Sequence, residues 1–149
     1  MGGLGLEMSC TVSRVFLDTN VLAYQFDAGE PLKQQRVREL VTDTTHTFVV
    51  STQVLLELFV VITRKLQPPI SQEAALRALV GLTRLHVGPA DARLVLRAAS
   101  TAGKHKLSVW DAMIVEAAAE AGCEEIWTED LAAGSTLRGV RIVNPLAVT

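Results

Sequence analysis

The chain has 149 residues, of which 49% are hydrophobic and 20% charged, and its mean hydropathy is +0.30. These values fit one domain with one core and exclude an intrinsically disordered chain. The net charge of −2 provides no global basic field, so nucleic acid would have to bind through local Lys and Arg clusters or metal ions. The strongest apolar run, residues 54–62, is too short for a membrane span and is interrupted by Glu57.

The N-terminal segment MGGLGLEMSC lacks the basic start and the long apolar centre of a secretory signal. We therefore expect residues 1–13 to form a flexible lead and residues 14–149 to form a single domain. Cys10 and Cys123 lie far apart without the spacing of a metal site, which is typical of free thiols in a reducing compartment. We expect the protein to be cytoplasmic.

In the first half of the domain, short apolar strands alternate with helices. The segment VFL, residues 15–17, predicts a buried strand, and a helix is predicted directly after it, over residues 19–26. PLKQQRVRELV is typical of an amphipathic helix, and the β-branched THTFVVS of a second strand. TQVLLELFVVITRKL predicts a helix that is apolar nearly all round and is closed by Pro68 and Pro69.

The second half is predicted to continue this alternation. Its segments are a helix over residues 71–82, a brief strand in RLHVG, a helix in PADARLVLRAAS, a polar loop in STAGKHKLS, a helix from Ser108 to Ala121, a strand in CEEIWTEDL and a last strand in GVRIVNP. Strands separated by helices indicate a parallel sheet covered on both faces. We therefore predict an α/β fold, a three-layer α/β/α sandwich with a mostly parallel central sheet.

Acidic residues fall where parallel strands are predicted to end. Asp18 follows the first strand, and Glu129 and Asp130 follow the strand that ends near Thr128. In open parallel sheets, ligands bind beyond the carboxyl ends of the strands, so these acids are candidates for one site. An equally good interpretation of Asp18 is that its carboxylate only caps the next helix.

Two further acids belong to helices. Glu57 lies within VLLELFVVI, and a buried carboxylate is costly unless it is paired or binds a cation. The alternative is a polar stripe of Gln53, Glu57 and Arg64 along a partly exposed face. Asp111 comes three residues after Ser108, a spacing that by itself suits a simple helix start. What favours a site is the set of four carboxylate positions, which could share one pocket.

Carboxylates gathered in one pocket repel one another, and a divalent cation removes this repulsion. Carboxylate oxygens are hard ligands that suit Mg²⁺ or Mn²⁺, whereas the lack of a His/Cys cluster argues against zinc. Sites of this kind hydrolyse phosphodiesters: one metal ion generates the attacking hydroxide, and a second stabilises the leaving oxygen. We therefore expect Mg²⁺ or Mn²⁺ as the cofactor.

The segments FLDTNVLAY, STQVLLELFVVITRK, LSVWDAMIVEAAAEAGCEEIWTEDL and GVRIVNP resemble the PIN domain, in particular the VapC-type toxins of toxin–antitoxin pairs. The resemblance extends from Arg14 to Pro145. It implies a metal-dependent ribonuclease with a four-acid site, and the matching positions are Asp18, Glu57, Asp111 and Asp130. It also implies supporting roles for Thr19, Asn20 and Thr128, a homodimer, and an antitoxin whose peptide occupies the groove.

Contacts with an RNA substrate are predicted at two basic clusters. Arg64 and Lys65 end the helix that carries Glu57, and Lys104 and Lys106 precede the helix that carries Asp111. Such side chains would hold phosphates without reading sequence. Trp110 could stack on a base, although a place in the apolar core is the better supported interpretation.

Two other functions remain open at this point. One is a catalytically silent PIN-like module that binds a partner protein. The other is a PIN nuclease that acts on DNA or in RNA processing, outside any toxin pair. The four intact acids favour catalysis, so a metal-dependent endoribonuclease toxin is the leading hypothesis.

Overall fold

The structure, a computed structural model, describes residues 13–147. Residues 1–12 of the expected lead lie outside this range, and the first strand already begins at Ser13. The elements follow in the order β1 (Ser13–Leu17), α1 (Thr19–Ala23, continued by a 3-10 turn over Tyr24–Phe26), α2 (Pro31–Val41), β2 (His46–Ser51), α3 (Thr52–Val60, continued by a π-helical turn over Val61–Lys65), α4 (Gln72–Leu82), β3 (His86–Gly88), α5 (Ala92–His105), α6 (Val109–Glu120), β4 (Glu125–Trp127), β5 (Thr136–Leu137) and β6 (Val140–Val143).

The strands form one sheet in the order β3-β2-β1-β4-β6-β5, in which only β5 and β6 pair antiparallel. The chain moves outward from β1 to β2 and β3, then returns to β4 on the other side of β1. Because parallel crossovers are right-handed, this reversal places the later helices on the opposite face of the sheet. The predicted α/β fold with a mostly parallel central sheet is therefore confirmed.

The reversal of strand order also fixes where a site can form. β1 and β4 are neighbours at the centre of the sheet, and Leu17 pairs with Trp127 in register. The two strands therefore leave the sheet at the same level, and the residues that follow them meet at the carboxyl edge. Val15, Phe16 and Leu17 are fully buried because helices cover both faces, which explains why β1 is apolar at successive positions.

The helix α5 is longer than the sequence predicted. The segment up to His105 is helical, although we expected a polar loop from Ser100 onward. Packing of α5 along α6 outweighs the polar composition of this turn and the helix-weakening Gly103. The helix ends where Lys106 adopts a left-handed backbone conformation, with φ of 56°.

Within residues 13–147, no helix combines the length and the apolar character that crossing a membrane requires.

Candidate active site

Asp18 lies at the centre of the carboxyl edge, directly after β1. Its backbone N–H donates to the carbonyl of Trp127 at 3.1 Å, which joins the ends of β1 and β4. Its side chain is 7% exposed, and Oδ1 accepts a hydrogen bond from the backbone N–H of Thr19 at 2.7 Å. Asp18 therefore caps α1 and also faces the cavity described below, so the two interpretations of this residue are compatible.

A network of neutral donors holds the loop after β4 against Asp18. The Thr128 hydroxyl donates to Asp18 Oδ2 at 2.8 Å and accepts from the backbone N–H of Asp130 at 3.0 Å. The Asn20 amide donates to Thr128 Oγ1 at 3.2 Å, and its carbonyl oxygen accepts from the backbone N–H of Glu129 at 3.1 Å. Thr128 and Asn20 thus connect the first and the fourth candidate acids, which belong to distant parts of the sequence.

The four candidate acids share one cavity of about 230 Å³ at this edge. Asp18 comes from the end of β1, Glu57 from α3, Asp111 from the first turn of α6 and Asp130 from the loop after β4. The complete wall consists of Asp18, Thr19, Asn20, Gln53, Glu57, Val61, Trp110, Asp111, Ile114 and Asp130. The structure brings the carboxylates together as the sequence led us to expect, while their catalytic roles stay a prediction.

Glu57 lacks the burial that we expected from its apolar neighbours. α3 buries the stripe formed by Val54, Leu58 and Ile62, and Glu57 lies outside that stripe with an exposed side chain. Its Oε1 accepts a hydrogen bond from Gln53 Nε2 at 2.8 Å. The polar-stripe interpretation is therefore right about exposure, yet the stripe itself borders the acidic cavity.

The pKa of Asp18 reflects its burial and the acids near it. Burial raises the pKa of its carboxyl from 3.8 to about 6. The hydrogen bonds from Thr128 and Thr19 lower the pKa, and the negative charges of Asp130 and Glu57 raise it. Among the described residues, no Lys, Arg or His forms an ion pair with any of the four candidate acids.

The donor atoms of the cavity fit a hard cation. Besides the carboxylates, Thr19 lines the cavity, and within residues 13–147 its hydroxyl oxygen is the one buried side-chain polar atom without a hydrogen-bond partner. Over the same range, no three His, Cys, Asp or Glu side chains converge tightly enough to hold a metal ion as they stand. The exposed carboxylates of Glu57 and Asp130 have room to turn inward, because exposed side chains change rotamers rapidly.

Two features of the site were not predicted from the sequence. Gln53 lines the cavity beside Glu57, and the only signal for it is its spacing of one helical turn from that acid. Glu129 accepts a hydrogen bond from the Tyr24 hydroxyl at 2.7 Å and pairs with Lys33 at 3.4 Å. Lys33 thereby compensates the charge of Glu129, the Tyr24 hydroxyl hydrogen-bonds it, and Asp130 is left as the unpaired acid of this loop.

The predicted RNA contacts lie outside the acidic cavity. Arg64 and Lys65 are exposed on the π-helical turn that continues α3, three and four residues after Val61 of the cavity wall. Lys104 and Lys106 are exposed at the end of α5.

The interpretation of Trp110 as a core residue is wrong. Its side chain is 63% exposed at the mouth of the cavity. The reason is that Ser108 caps α6 immediately before it, so Trp110 belongs to a first turn that projects from the core.

Comparisons with known proteins agree with this architecture. The family model that matches the chain, over residues 15–133, is the PIN domain. Among solved structures, VapC20 of Mycobacterium tuberculosis, described as a sarcin–ricin loop cleaving toxin, is 20% identical, with a TM-score of 0.63 over 78% of this chain and 91% of that one. A toxin–antitoxin complex from Klebsiella pneumoniae is 16% identical, with a TM-score of 0.65 over 90% and 99% of the two chains.

DNA-bound VapBC from Salmonella typhimurium is also similar, at 21% identity and a TM-score of 0.62 over 88% of this chain and 97% of that one. These likenesses concern the fold. A sequence comparison with curated proteins finds no significant match. The family model spans most of the domain, including β1, α3 and α6, and on this basis the chain belongs to the PIN domain family.

Proposed function

We propose that the protein is a metal-dependent endoribonuclease that hydrolyses RNA phosphodiester bonds and serves as the toxin of a type II toxin–antitoxin pair in the cytoplasm. The observation that carries this proposal is a cavity lined by four carboxylates, none of which is paired with a cation of the described chain. The toxin assignment is supported by structural neighbours that are themselves described as toxins or toxin–antitoxin complexes.

In this proposal, Asp18, Glu57, Asp111 and Asp130 hold Mg²⁺ or Mn²⁺. Such a metal, when bound, would lower the pKa of an attacking water and offset the charge that develops on the leaving oxygen. The protein itself orients the central carboxylate. The Thr128 hydroxyl and the Thr19 backbone N–H each donate to one oxygen of Asp18, so this acid keeps one orientation.

The substrate is a polyanion, so cations must also hold the phosphates on either side of the cleaved bond. We propose Arg64, Lys65, Lys104 and Lys106 for this role, because their side chains are exposed on the elements that carry Glu57 and precede Asp111. Such contacts position the RNA and carry no sequence information.

A cognate antitoxin and a second copy of the chain are the proposed protein partners. Exposed apolar side chains on α3 and α4 outside both cavities support such contacts, namely Val60, Leu76 and Val80. We propose that a basic side chain of the antitoxin enters the acidic cavity in place of the metal. Asp111→Asn should then weaken antitoxin binding by about 2–5 kcal/mol if that pair is buried.

The test is cleavage of RNA by the purified protein with Mn²⁺ or Mg²⁺ and with EDTA. We expect cleavage that depends on the metal and that Asp111→Asn abolishes without unfolding the protein. Glu120→Gln is the matched control, because Glu120 is an exposed acid on the same helix that pairs with Arg97, away from the cavity.

Metal-independent cleavage would contradict the mechanism. Absence of cleavage together with antitoxin binding would favour the catalytically silent interaction module. Cleavage without any antitoxin gene beside the coding sequence would favour a nuclease of RNA processing.

A further inference from the structure

A second cavity of about 610 Å³ adjoins the acidic one. Gln53, Glu57 and Trp110 belong to the walls of both cavities, so the two are continuous at the mouth of the candidate site. Beyond this border the wall is apolar and includes Leu56 and Met113. No Lys, Arg or His of the described chain lines this second cavity.

Trp110 and Leu56 expose an unusual amount of apolar surface here. The Trp110 side chain is 63% exposed and that of Leu56 is 71% exposed, whereas Trp127, the other tryptophan, is 4% exposed in the core. Aromatic side chains gain more from burial than almost any others, so an indole left in water at a site marks a binding surface. The two side chains face one cavity from two helices, α6 and α3.

Hydrogen bonds fix the residues that form the border between the two cavities. Gln53 Nε2 donates to Glu57 Oε1 at 2.8 Å and, more weakly, to the backbone carbonyl of Trp110 at 3.4 Å. These bonds join the starts of α3 and α6 and leave the carbonyl oxygen of the Gln53 amide available as an acceptor.

We propose that this second cavity binds a nucleobase of RNA, one that flanks the cleaved phosphate, and that the base stacks on the indole of Trp110. This inference rests on the proposed ribonuclease function. Because the two cavities share Gln53, Glu57 and Trp110, the second cavity is the apolar surface next to the site proposed for the cleaved phosphate. The cavity suits the base and not the backbone, because it is apolar, offers an aromatic face and provides no cation for a phosphate.

Tryptophan fluorescence tests the contact without requiring cleavage. A short oligoribonucleotide is titrated into the full-length protein in EDTA, and Trp110→Phe serves as the comparison. We expect saturable quenching in the wild type and none in Trp110→Phe, because the remaining Trp127 is buried. An oligonucleotide of the same length without bases should not quench the wild type.

Cleavage kinetics locate the base. We expect Trp110→Ala to lower kcat/KM by about 5- to 150-fold, the range for one stacked base, and Trp110→Phe to retain most of the activity. On RNA that is abasic at the stacked position, Trp110→Ala should have no further effect. Leu56→Ala should reduce kcat/KM, whereas Leu96→Ala, which removes a side chain that is also 71% exposed but lies on α5 outside both cavities, should not.

Two results would overturn the inference, and a third would separate it from the proposed function. Equal losses for Trp110→Ala on intact and on abasic RNA would mean that no base stacks there. An unchanged kcat/KM combined with a weakened dimer or antitoxin complex would assign the cavity to a protein partner. Base-dependent quenching of Trp110 in a protein that never cleaves RNA would keep the base site and reject the proposed function.

Discussion

Residues 13–147 include two buried carboxylates, Glu116 and Asp18, whose surroundings are opposite in charge. Glu116, on α6, is 2% exposed; its Oε2 accepts hydrogen bonds from Thr101 Oγ1 at 2.6 Å and from Arg138 Nε at 2.9 Å, and its Oε1 lies 3.7 Å from Arg97 Nε. Asp18 is 7% exposed and receives hydrogen bonds from neutral donors alone. Other acids, instead of arginines, surround it.

The difference marks Glu116 as a structural carboxylate and supports the role proposed for Asp18. Two guanidinium groups compensate the charge of Glu116 and tie α6 to α5 and to the turn between β5 and β6. Arg138 even adopts a left-handed backbone conformation in this turn, with φ of 52°, at a position that usually favours Asn or Gly. Asp18, in contrast, has no cationic side chain of the described residues beside it. Its negative charge is therefore available to a cation that binds from solution.

Removing the uncompensated acid should have the largest effect. Asp18→Asn keeps the shape and the cap of α1 but removes a proposed metal ligand, so we expect RNA cleavage to fall by on the order of a thousandfold or more, as for other central charge-stabilising groups. Glu116→Gln, measured where it is folded, should change cleavage little. Cleavage assays with circular dichroism as the folding control decide this, and an active Asp18→Asn would remove Asp18 from the catalytic set.

Removing the compensated acid should instead cost stability. Glu116→Ala leaves Arg138 and Arg97 without their shared partner, and we expect the free energy of unfolding to fall by about 3–5 kcal/mol. Glu120→Ala removes only the exposed partner of Arg97 and should cost less than about 1 kcal/mol. Denaturant unfolding in EDTA measures both, and equal losses would show that Glu116 is no more structural than a surface acid.

The metal-free protein should lose stability as pH rises from about 4 to about 6. Asp18 has a pKa of 3.8 when unfolded and about 6 when folded, so in this window the folded state keeps a proton that the unfolded state has released. The free energy of unfolding then falls by up to about 3 kcal/mol and levels off above this window. Asp18→Asn should remove this part of the slope. Identical pH profiles of unfolding for the wild type and the variant would contradict the prediction.

Divalent metal should reverse that loss. At about a hundred times its dissociation constant, Mn²⁺ or Mg²⁺ adds about 2.7 kcal/mol to the free energy of unfolding, equivalent to a rise in Tm of roughly 5–10 °C. Asp18→Asn should show a smaller shift, and Glu116→Gln, whose site is already compensated within the chain, should show the full shift. A wild-type Tm that does not change at saturating Mn²⁺ would count against a metal site at Asp18.

The sequence predicted those features that depend on neighbours along the chain. The run VFL identifies β1, and its abrupt end identifies Asp18 as a residue of the carboxyl edge. The pairing of Glu116 with Arg138 is different, because it joins residues of separate elements that only the folded chain brings together. No periodicity or spacing indicates such a contact.

Exposure was the property that the sequence predicted least well. Glu57 and Trp110 both stand among apolar neighbours, and we took those neighbours as a sign of burial. In the structure, Val54 and Leu58 pack in the core, whereas Leu56 is exposed and faces a cavity together with Glu57 and Trp110. A helix that borders a site carries apolar residues for two reasons, core packing and ligand contact, and composition alone does not distinguish them.

The brevity of the outer strands has a consequence for assembly. β3 has three residues and β5 has two, so the sheet offers few free backbone groups to an incoming strand at either margin. Copies and partners are therefore directed to the helices, where recognition depends on side chains. Side-chain identity can diverge while the sheet that positions the acids stays intact. Substitutions on helix surfaces outside the acidic cavity would thus change which partner binds and leave the arrangement of the four acids unchanged.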